Sequence, residues 1–478
     1  MVYIVLILED TYSLQKKMEP EILSIELIKP SSPTPLHLKT HKLCFLDQYR
    51  NHAYFPMVFF YPVTHDTNLN LSNETNIAQI VSVRLQLLKQ SLPETLSRFY
   101  PFAGKIKDNL SIDCNDEGIY FTEARFKSPL KEFFNQQDFS CLTYKFVPFD
   151  AKELGGSISG LHVAKIQVTS FACGGIVICA CLSHLFADGA TLCSFLKCWV
   201  ATACKNNEQR ISPNNDASWL FPQNEAYPKE GTWLAMCPRF FGHGRFVTRR
   251  FVFDAKAIAT IGAKASSSTR VQNPTPTRVE AVSALFSKCV MAALKAKHGS
   301  HKTTLLTHSV NLRNKAKSIL SEYSMGNIVW NANALCTNEE AELDLEGLVC
   351  KLREAMMKIN GDFVKSLLGD EGFLNLCQAI KDENGVCSKA KERINFSSWC
   401  NFGLYDIDFG WGKPMWVSVI GLDGKLPYFS NTIILLDTRF GDGIEAWVYL
   451  LEEDMNTLEL DEELLALATL DPCPLWKD

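Results

Sequence analysis

No apolar run in this 478-residue chain approaches the ~20 residues needed to span a bilayer, so a membrane-spanning helix is excluded. Blocks of Lys or Arg are missing too, and the net charge is −5, so the chain lacks the basic footprint of a nucleic-acid binder. There is no GxxxxGK[ST] loop and no GxGxxG ahead of a helix, which removes the usual phosphate-cradling folds. A secretory leader is also wanting. Val2 to Leu8 is apolar, but Glu9 and Asp10 follow at once, with neither a basic flank nor a small-residue cleavage site. Cys179, Cys181 and His184 lie close together, yet no second ligand pair at zinc-like spacing accompanies them, so no metal site is expected.

Cysteine is abundant instead. Seventeen are scattered from Cys44 to Cys473 in no disulfide-like framework, the pattern of free thiols in the reducing cytoplasm. Hydrophobic residues make up 46% and charged residues 21%, as in an ordinary soluble globular protein, and the length suggests two or three domains.

Strand and helix signals alternate along the chain. Strands are predicted at Ile22–Ile28, Lys42–Leu46, His162–Val168 and Ile176–Leu182, and a helix over Ile77–Leu92. A hairpin is predicted from Ser111–Cys114 to Ile119–Glu123 around the turn-rich Asn115–Gly118. Ala190–Cys204 has helical spacing. Residues 1–17 read as an extension, disordered or not native, ahead of a second methionine, Met18. Residues 18–205 form an N-terminal domain, and 206–245, rich in Asn, Pro, Gly and Ser, form a crossover linker. Residues 246–478 form a C-terminal domain. It has strands at Arg245–Phe253, Thr303–Val310, Phe396–Cys400, Met415–Ile420, Thr432–Asp437 and Glu445–Leu450, and helices near 255–265, 279–297, 343–359 and 453–468.

Two constellations carry chemistry. His184-Leu-Phe-Ala-Asp188-Gly189 follows the apolar run Ile176–Leu182, so the imidazole sits at the end of a buried strand. A rigid element is where a general base belongs, because its position must be closely fixed. Asp188 is also well placed to cap the next helix. The second constellation, Asp408-Phe-Gly-Trp-Gly412, puts Gly410 and Gly412 around Trp411 in a tight loop.

Together these two motifs resemble the plant BAHD acyl-CoA-dependent acyltransferases, which carry HxxxD near mid-chain and DFGWG near the C-terminus. Further matching segments include Phe99–Gly104, Arg278–Ala281, Val310–Arg313, Met325–Asn327, Ser398–Cys400 and Gly441–Trp447, so the resemblance runs from about residue 20 to 468. Within the family it leans to the alkaloid O-acetyltransferase branch. It implies an α/β fold of two chloramphenicol acetyltransferase-like domains with a solvent channel between them. It also implies an O-acyltransferase that moves an acyl group, most simply acetyl, from acyl-CoA to a hydroxyl of a plant metabolite such as a monoterpene indole alkaloid. A malonyl or aromatic acyl-CoA donor, N-acylation, and a non-catalytic binding relative are the alternatives. Acetyl-CoA is then a co-substrate and no cofactor is permanently bound; the enzyme is expected as a monomer without nucleic-acid or membrane partners.

In that frame His184 is the general base. Asp188 turns away and pairs with Arg313, and Gly189 belongs to the same loop. Asp408 supports the channel, with Phe409, Gly410, Trp411 and Gly412, rather than moving a proton. Trp411, a nearby hydroxyl or a backbone N–H stabilises the oxyanion. Arg278 and Lys288 are the cations a rim for the CoA phosphates would draw on.

Overall fold

The computed structural model describes residues 19–50, 53–63, 74–136, 138–148, 158–206, 208, 211–227, 244–266, 275–337, 344–421 and 431–475. The expectation for residues 1–17 lies outside these, as do residues 207, 209, 210 and 228–243 of the linker expected at 206–245.

In chain order the strands are β1 Glu21–Ile28, β2 Thr40–Lys42, β3 Tyr54–Tyr61, β4 Lys105–Ile106, β5 Ser111–Asp113, β6 Ile119–Phe126, β7 Ala164–Phe171 and β8 Ile176–Ser183. They continue with β9 Phe246–Phe253, β10 Thr304–Asn311, β11 Val329–Cys336, β12 Glu392–Ser398, β13 Trp416–Ser418, β14 Thr432–Asp437, β15 Ile444–Leu451 and β16 Thr469–Leu470. The longer helices are α1 Glu74–Arg98, α2 Gly189–Ala203, α3 Ala255–Lys264, α4 Arg278–His298, α5 Leu345–Met357 and α6 Gly369–Cys387. A six-stranded sheet has the order β1-β6-β7-β8-β3-β13, a seven-stranded sheet the order β11-β10-β12-β14-β15-β9-β16, and β2, β5 and β4 make a small third sheet.

Each large sheet has its own buried core. In the first, β7 and β8 are buried along their whole length. A strand covered on both faces reads as an unbroken apolar run, which is why Ile176–Leu182 is so plain in the sequence. Cys179 and Cys181 are fully buried in β8, and no disulfide joins cysteines among the described residues. No described helix is long and apolar enough to cross a membrane.

Several elements differ from the sequence reading. The strand expected at Lys42–Leu46 ends at Lys42; Phe45–Gln48 is instead one helical turn, closed by a capping box between Cys44 and Asp47. The expected 111–123 hairpin does not form, because β5 pairs with β2 and β4 while β6 pairs with β1 and β7. Gly118, between the two strands, has φ 111°, and a Cβ there would stand 2.6 Å from the Ile28 carbonyl oxygen, so the position demands glycine. Strands β3 and β11 and helix α6 were not anticipated, and the tail helix is two short ones, Glu452–Leu458 and Glu462–Leu465.

The largest departure is β13. Expected in the second domain, it joins the edge of the first sheet, with Trp416 opposite Phe60 and Ser418 opposite Val58. Trp416 stacks on Trp447 of β15 at 5.7 Å, and its indole N–H donates to Glu445, which also takes the buried Arg250 guanidinium at 3.0 Å. The two sheets thus meet through shared side chains.

Candidate active site

His184 stands one residue beyond β8. Its backbone N–H donates to the Ala53 carbonyl at 2.8 Å, which extends the β8–β3 ladder through the imidazole-bearing residue. The residue is half-buried, and the ring of Phe55 on β3 lies 4.9 Å from it. Trp399 packs edge-on against Phe55 at 5.9 Å. Burial, followed by the nearby Arg50 cation, lowers the His184 pKa from its ordinary value of 6.5, so the ring is neutral at physiological pH.

The tautomer follows from hydrogen bonds. His184 Nδ1 lies 2.7 Å from Asn327 Oδ1. The Asn327 side-chain NH2 cannot occupy that position, because it donates to the His184 carbonyl at 2.8 Å and to Asp47 Oδ1 at 3.0 Å. Nδ1 therefore carries the proton and donates it to the amide oxygen, leaving the lone pair on Nε2.

Asp188 makes no hydrogen bond to the imidazole; its partners lie elsewhere. Its Oδ1 accepts from Thr191 N at 2.9 Å, Thr191 Oγ1 at 3.0 Å and Arg313 Nη2 at 3.2 Å; its Oδ2 accepts from Arg313 Nη1 at 2.7 Å and Ile328 N at 3.1 Å. Asp188 thus caps α2 and holds Arg313, which follows β10 in the other sheet. Arg313 also donates to the carbonyls of Ser324 and Gly326, to Asn311 Oδ1 and to Thr191 Oγ1. The two residues are 3% and 2% exposed, so the pair is buried and fully hydrogen-bonded. It clamps the loop bearing His184 to the second domain. Gly189 completes the loop, since a Cβ there would stand 3.0 Å from the Phe402 ring and 3.3 Å from Trp399.

Asp408 folds its own loop. Its Oδ1 accepts from the N–H groups of Gly410 at 2.8 Å and Gly412 at 2.9 Å, and both glycines have positive φ, 96° and 107°. Phe409 and Trp411 stack at 5.4 Å; Phe409 meets Trp199 of α2, while Trp411 meets Tyr61 of β3 and the Arg84 guanidinium of α1. The loop is a structural plug ahead of β13. Its Trp411 indole N–H is buried without a hydrogen-bond partner.

A test separates these roles. Asp408→Asn keeps the Oδ1 acceptor and should retain near wild-type kcat. Asp408→Ala should lose roughly 1–3 kcal/mol of stability, read by urea unfolding. A proton-transfer role would instead cost Asp408→Asn about 10²-fold or more in kcat.

Arg278 and Lys288, expected as cations for the CoA phosphates, each pair with a carboxylate of the chain. Arg278 donates to Asp437 and to the Gly441 carbonyl, tying down the turn after β14, and Lys288 pairs with Glu463 at 2.5 Å. Both are committed to carboxylates of the chain itself. Near the Arg278 turn an open cleft of about 240 Å³ is lined by Trp399, Leu404, Tyr405, Val417, Leu436 and Arg439, among others. Its Trp399 wall is the one that backs Phe55 and Gly189.

Asp47, Phe55, Asn327 and Trp399 were not singled out from sequence. Asn327 and Trp399 do lie within motif segments, Met325–Asn327 and Ser398–Cys400, whereas Asp47 and Phe55 had no signal.

The sequence model of the Transferase family matches residues 18–465. Over 459 residues the chain is 98% identical to limonoid 7-O-acetyltransferase of Citrus sinensis, covering 96% of this chain and all of that one. It is 72% identical to epi-neemfruitin B 7-O-acetyltransferase of Melia azedarach, with the same coverage. The crystal structure of vinorine synthase superposes with a TM-score of 0.76 at 33% identity, over 94% of this chain and 98% of that one. TRI101 of F. sporotrichioides, complexed with coenzyme A and T-2, shares the fold at 16% identity, with a TM-score of 0.66 over 91% and 100% of the two chains.

Proposed function

Because the chain belongs to the BAHD transferase family and is an acyl-CoA-dependent O-acyltransferase of the two-domain chloramphenicol acetyltransferase-like fold, we propose that it transfers acetyl from acetyl-CoA to the 7-hydroxyl of a limonoid, with His184 as general base. The single observation behind the base assignment is the Asn327 oxygen at 2.7 Å from Nδ1, which leaves the Nε2 lone pair free to accept a proton. As the acceptor oxygen bonds to the thioester carbonyl carbon, Nε2 takes the hydroxyl proton. The tetrahedral oxyanion then collapses, the carbon–sulfur bond breaks, and the imidazolium returns the proton to the thiolate of CoA. Neither a covalent acyl-enzyme nor a second acid is needed.

The acceptor reading departs from the indole alkaloid expected above. Relatives at 98% and 72% identity are named for limonoid 7-O-acetylation, whereas the alkaloid-named relatives stand at 32–36%. A limonoid 1-O-acetyltransferase of Citrus sinensis stands at only 35%, which favours position 7 over position 1. The mass spectrum of a competition assay tests this. The purified protein with acetyl-CoA, a 7-hydroxy limonoid and an indole-alkaloid alcohol should give the limonoid acetate with the higher kcat/KM. Preferred acetylation of the alkaloid, or of a limonoid 1-hydroxyl, would overturn the acceptor assignment.

A further inference from the structure

We propose that Asp47 is a positioning residue for His184, acting through Asn327 to fix the imidazole tautomer and to balance the imidazolium formed during transfer. The inference deepens the reading of His184 as base and rests on it.

Asp47 occupies the third position of the helical turn Phe45–Gln48 and is 1% exposed. Its Oδ2 accepts from Cys44 N at 3.0 Å. Its Oδ1 accepts twice from one residue, Asn327, through the backbone N–H at 2.7 Å and the side-chain NH2 at 3.0 Å. An ionised carboxylate only accepts, so it admits one orientation of the Asn327 amide, with NH2 toward Asp47 and oxygen toward Nδ1. The result is a chain of Asp47, the Asn327 amide and the His184 ring, with each hydrogen donated toward the carboxylate.

Burial pushes the Asp47 carboxyl up to about 6, and the donors from Asn327 and Cys44 oppose that rise, so it is ionised at neutral pH. Its titratable neighbour is the Cys44 thiol, which burial holds well above its ordinary value. His184 in turn feels Arg50, which disfavours the imidazolium, and Asp188, which favours it but is already engaged by Arg313. Asp47 is the further buried carboxylate linked to the ring, through a single amide. In a low-dielectric site such an oriented chain stabilises the cation without itself moving a proton. Asp188, the conspicuous acid of the motif, is thus replaced in this role by an acid that comes 137 positions before His184 in the sequence.

Asp47→Asn tests this. The variant places an NH2 where acceptors are required and lets the Asn327 amide turn over. It should fold, lower kcat by about 10²-fold or more, the scale on which a wrong tautomer disables an imidazole base, and leave KM for acetyl-CoA nearly unchanged. Loss of the negative charge should move the acid limb of the kcat/KM profile to lower pH. The exchange variant Asp47→Asn with Asn327→Asp restores one acid and one amide, and should return the acid limb to the wild-type position or above. A folded Asp47→Asn with unchanged kcat, or with reduced kcat and an unmoved acid limb, would assign Asp47 to packing alone. The ring nitrogens of wild-type His184, read by ¹⁵N NMR against His184→Ala, should show the Nδ1–H tautomer. The Nε2–H form would overturn the proposal even if neither Asp47 variant folds. Absence of acetyl transfer by the wild type would instead strike the proposed reaction and leave this tautomer readout standing.

Discussion

Alanine at position 184 is expected to lower kcat for acetyl transfer by about 10²–10⁴-fold, the usual contribution of a positioned general base. The residue is half-buried at the end of β8, and its ring packs on Phe55, so truncation removes the base without opening the core. Stability and the affinity for CoA should therefore change little, and a calorimetric titration with CoA alongside the rate assay separates the two. Product formation by His184→Ala at the wild-type rate would refute the assignment.

The pH profile of the wild type carries a second signature of the same ring. The proposed general-base role requires the unprotonated imidazole. Burial and then Arg50 lower its pKa, so the proton leaves at a lower pH than from a free histidine. The acid limb of kcat/KM should fall below 6.5, and the enzyme should be fully active at neutral pH. An acid limb at 7 or above would show that the charged ring is favoured, against the burial described.

Asp188→Ala is the other large effect. It removes one partner of a buried, doubly hydrogen-bonded pair and strands the Arg313 guanidinium, 2% exposed, without its carboxylate. Breaking such a pair typically costs 3–5 kcal/mol. The α2 cap from Thr191 N and the bond from Ile328 N are lost as well. Urea unfolding should show the destabilisation, and activity should fall because the His184 loop is no longer held to the second domain. Asp188→Asn retains the size and one acceptor oxygen, and should be intermediate in both measures. An Asp188→Ala protein as stable and as active as the wild type would remove the structural role assigned here.

The parts of this site that were legible in the sequence are the local ones. An apolar strand ending in His184, a capping acid four residues on, and a helix behind it are all written within thirty residues, because strand burial and helix capping act over short distances. The Asp188–Arg313 pair followed from the family resemblance rather than from spacing, and it is present. Asp47 was invisible because a buried acid has the same letter as a solvated one; only the tertiary contact with Asn327, 280 positions away, distinguishes it. The ion pairs of Arg278 and Lys288 were hidden for the converse reason, since cations drawn into ion pairs look in a sequence like cations on offer. The strand pairing of β13 was equally hidden, as nothing in three residues specifies which sheet they join. The acceptor class is not legible in the motifs, because short motifs record the shared machinery of a family and not the walls of its cleft.

That crossing strand has a consequence for how the chain comes apart. β13 belongs by sequence to the second half and by hydrogen bonding to the first, and Trp416 and Trp447 lock the arrangement from within. Expressed alone, the first half would carry a naked sheet edge at β3, and the second an orphaned tryptophan ribbon. The two lobes should accordingly melt in one cooperative transition, and cutting the chain between them should yield aggregation-prone fragments rather than two modules.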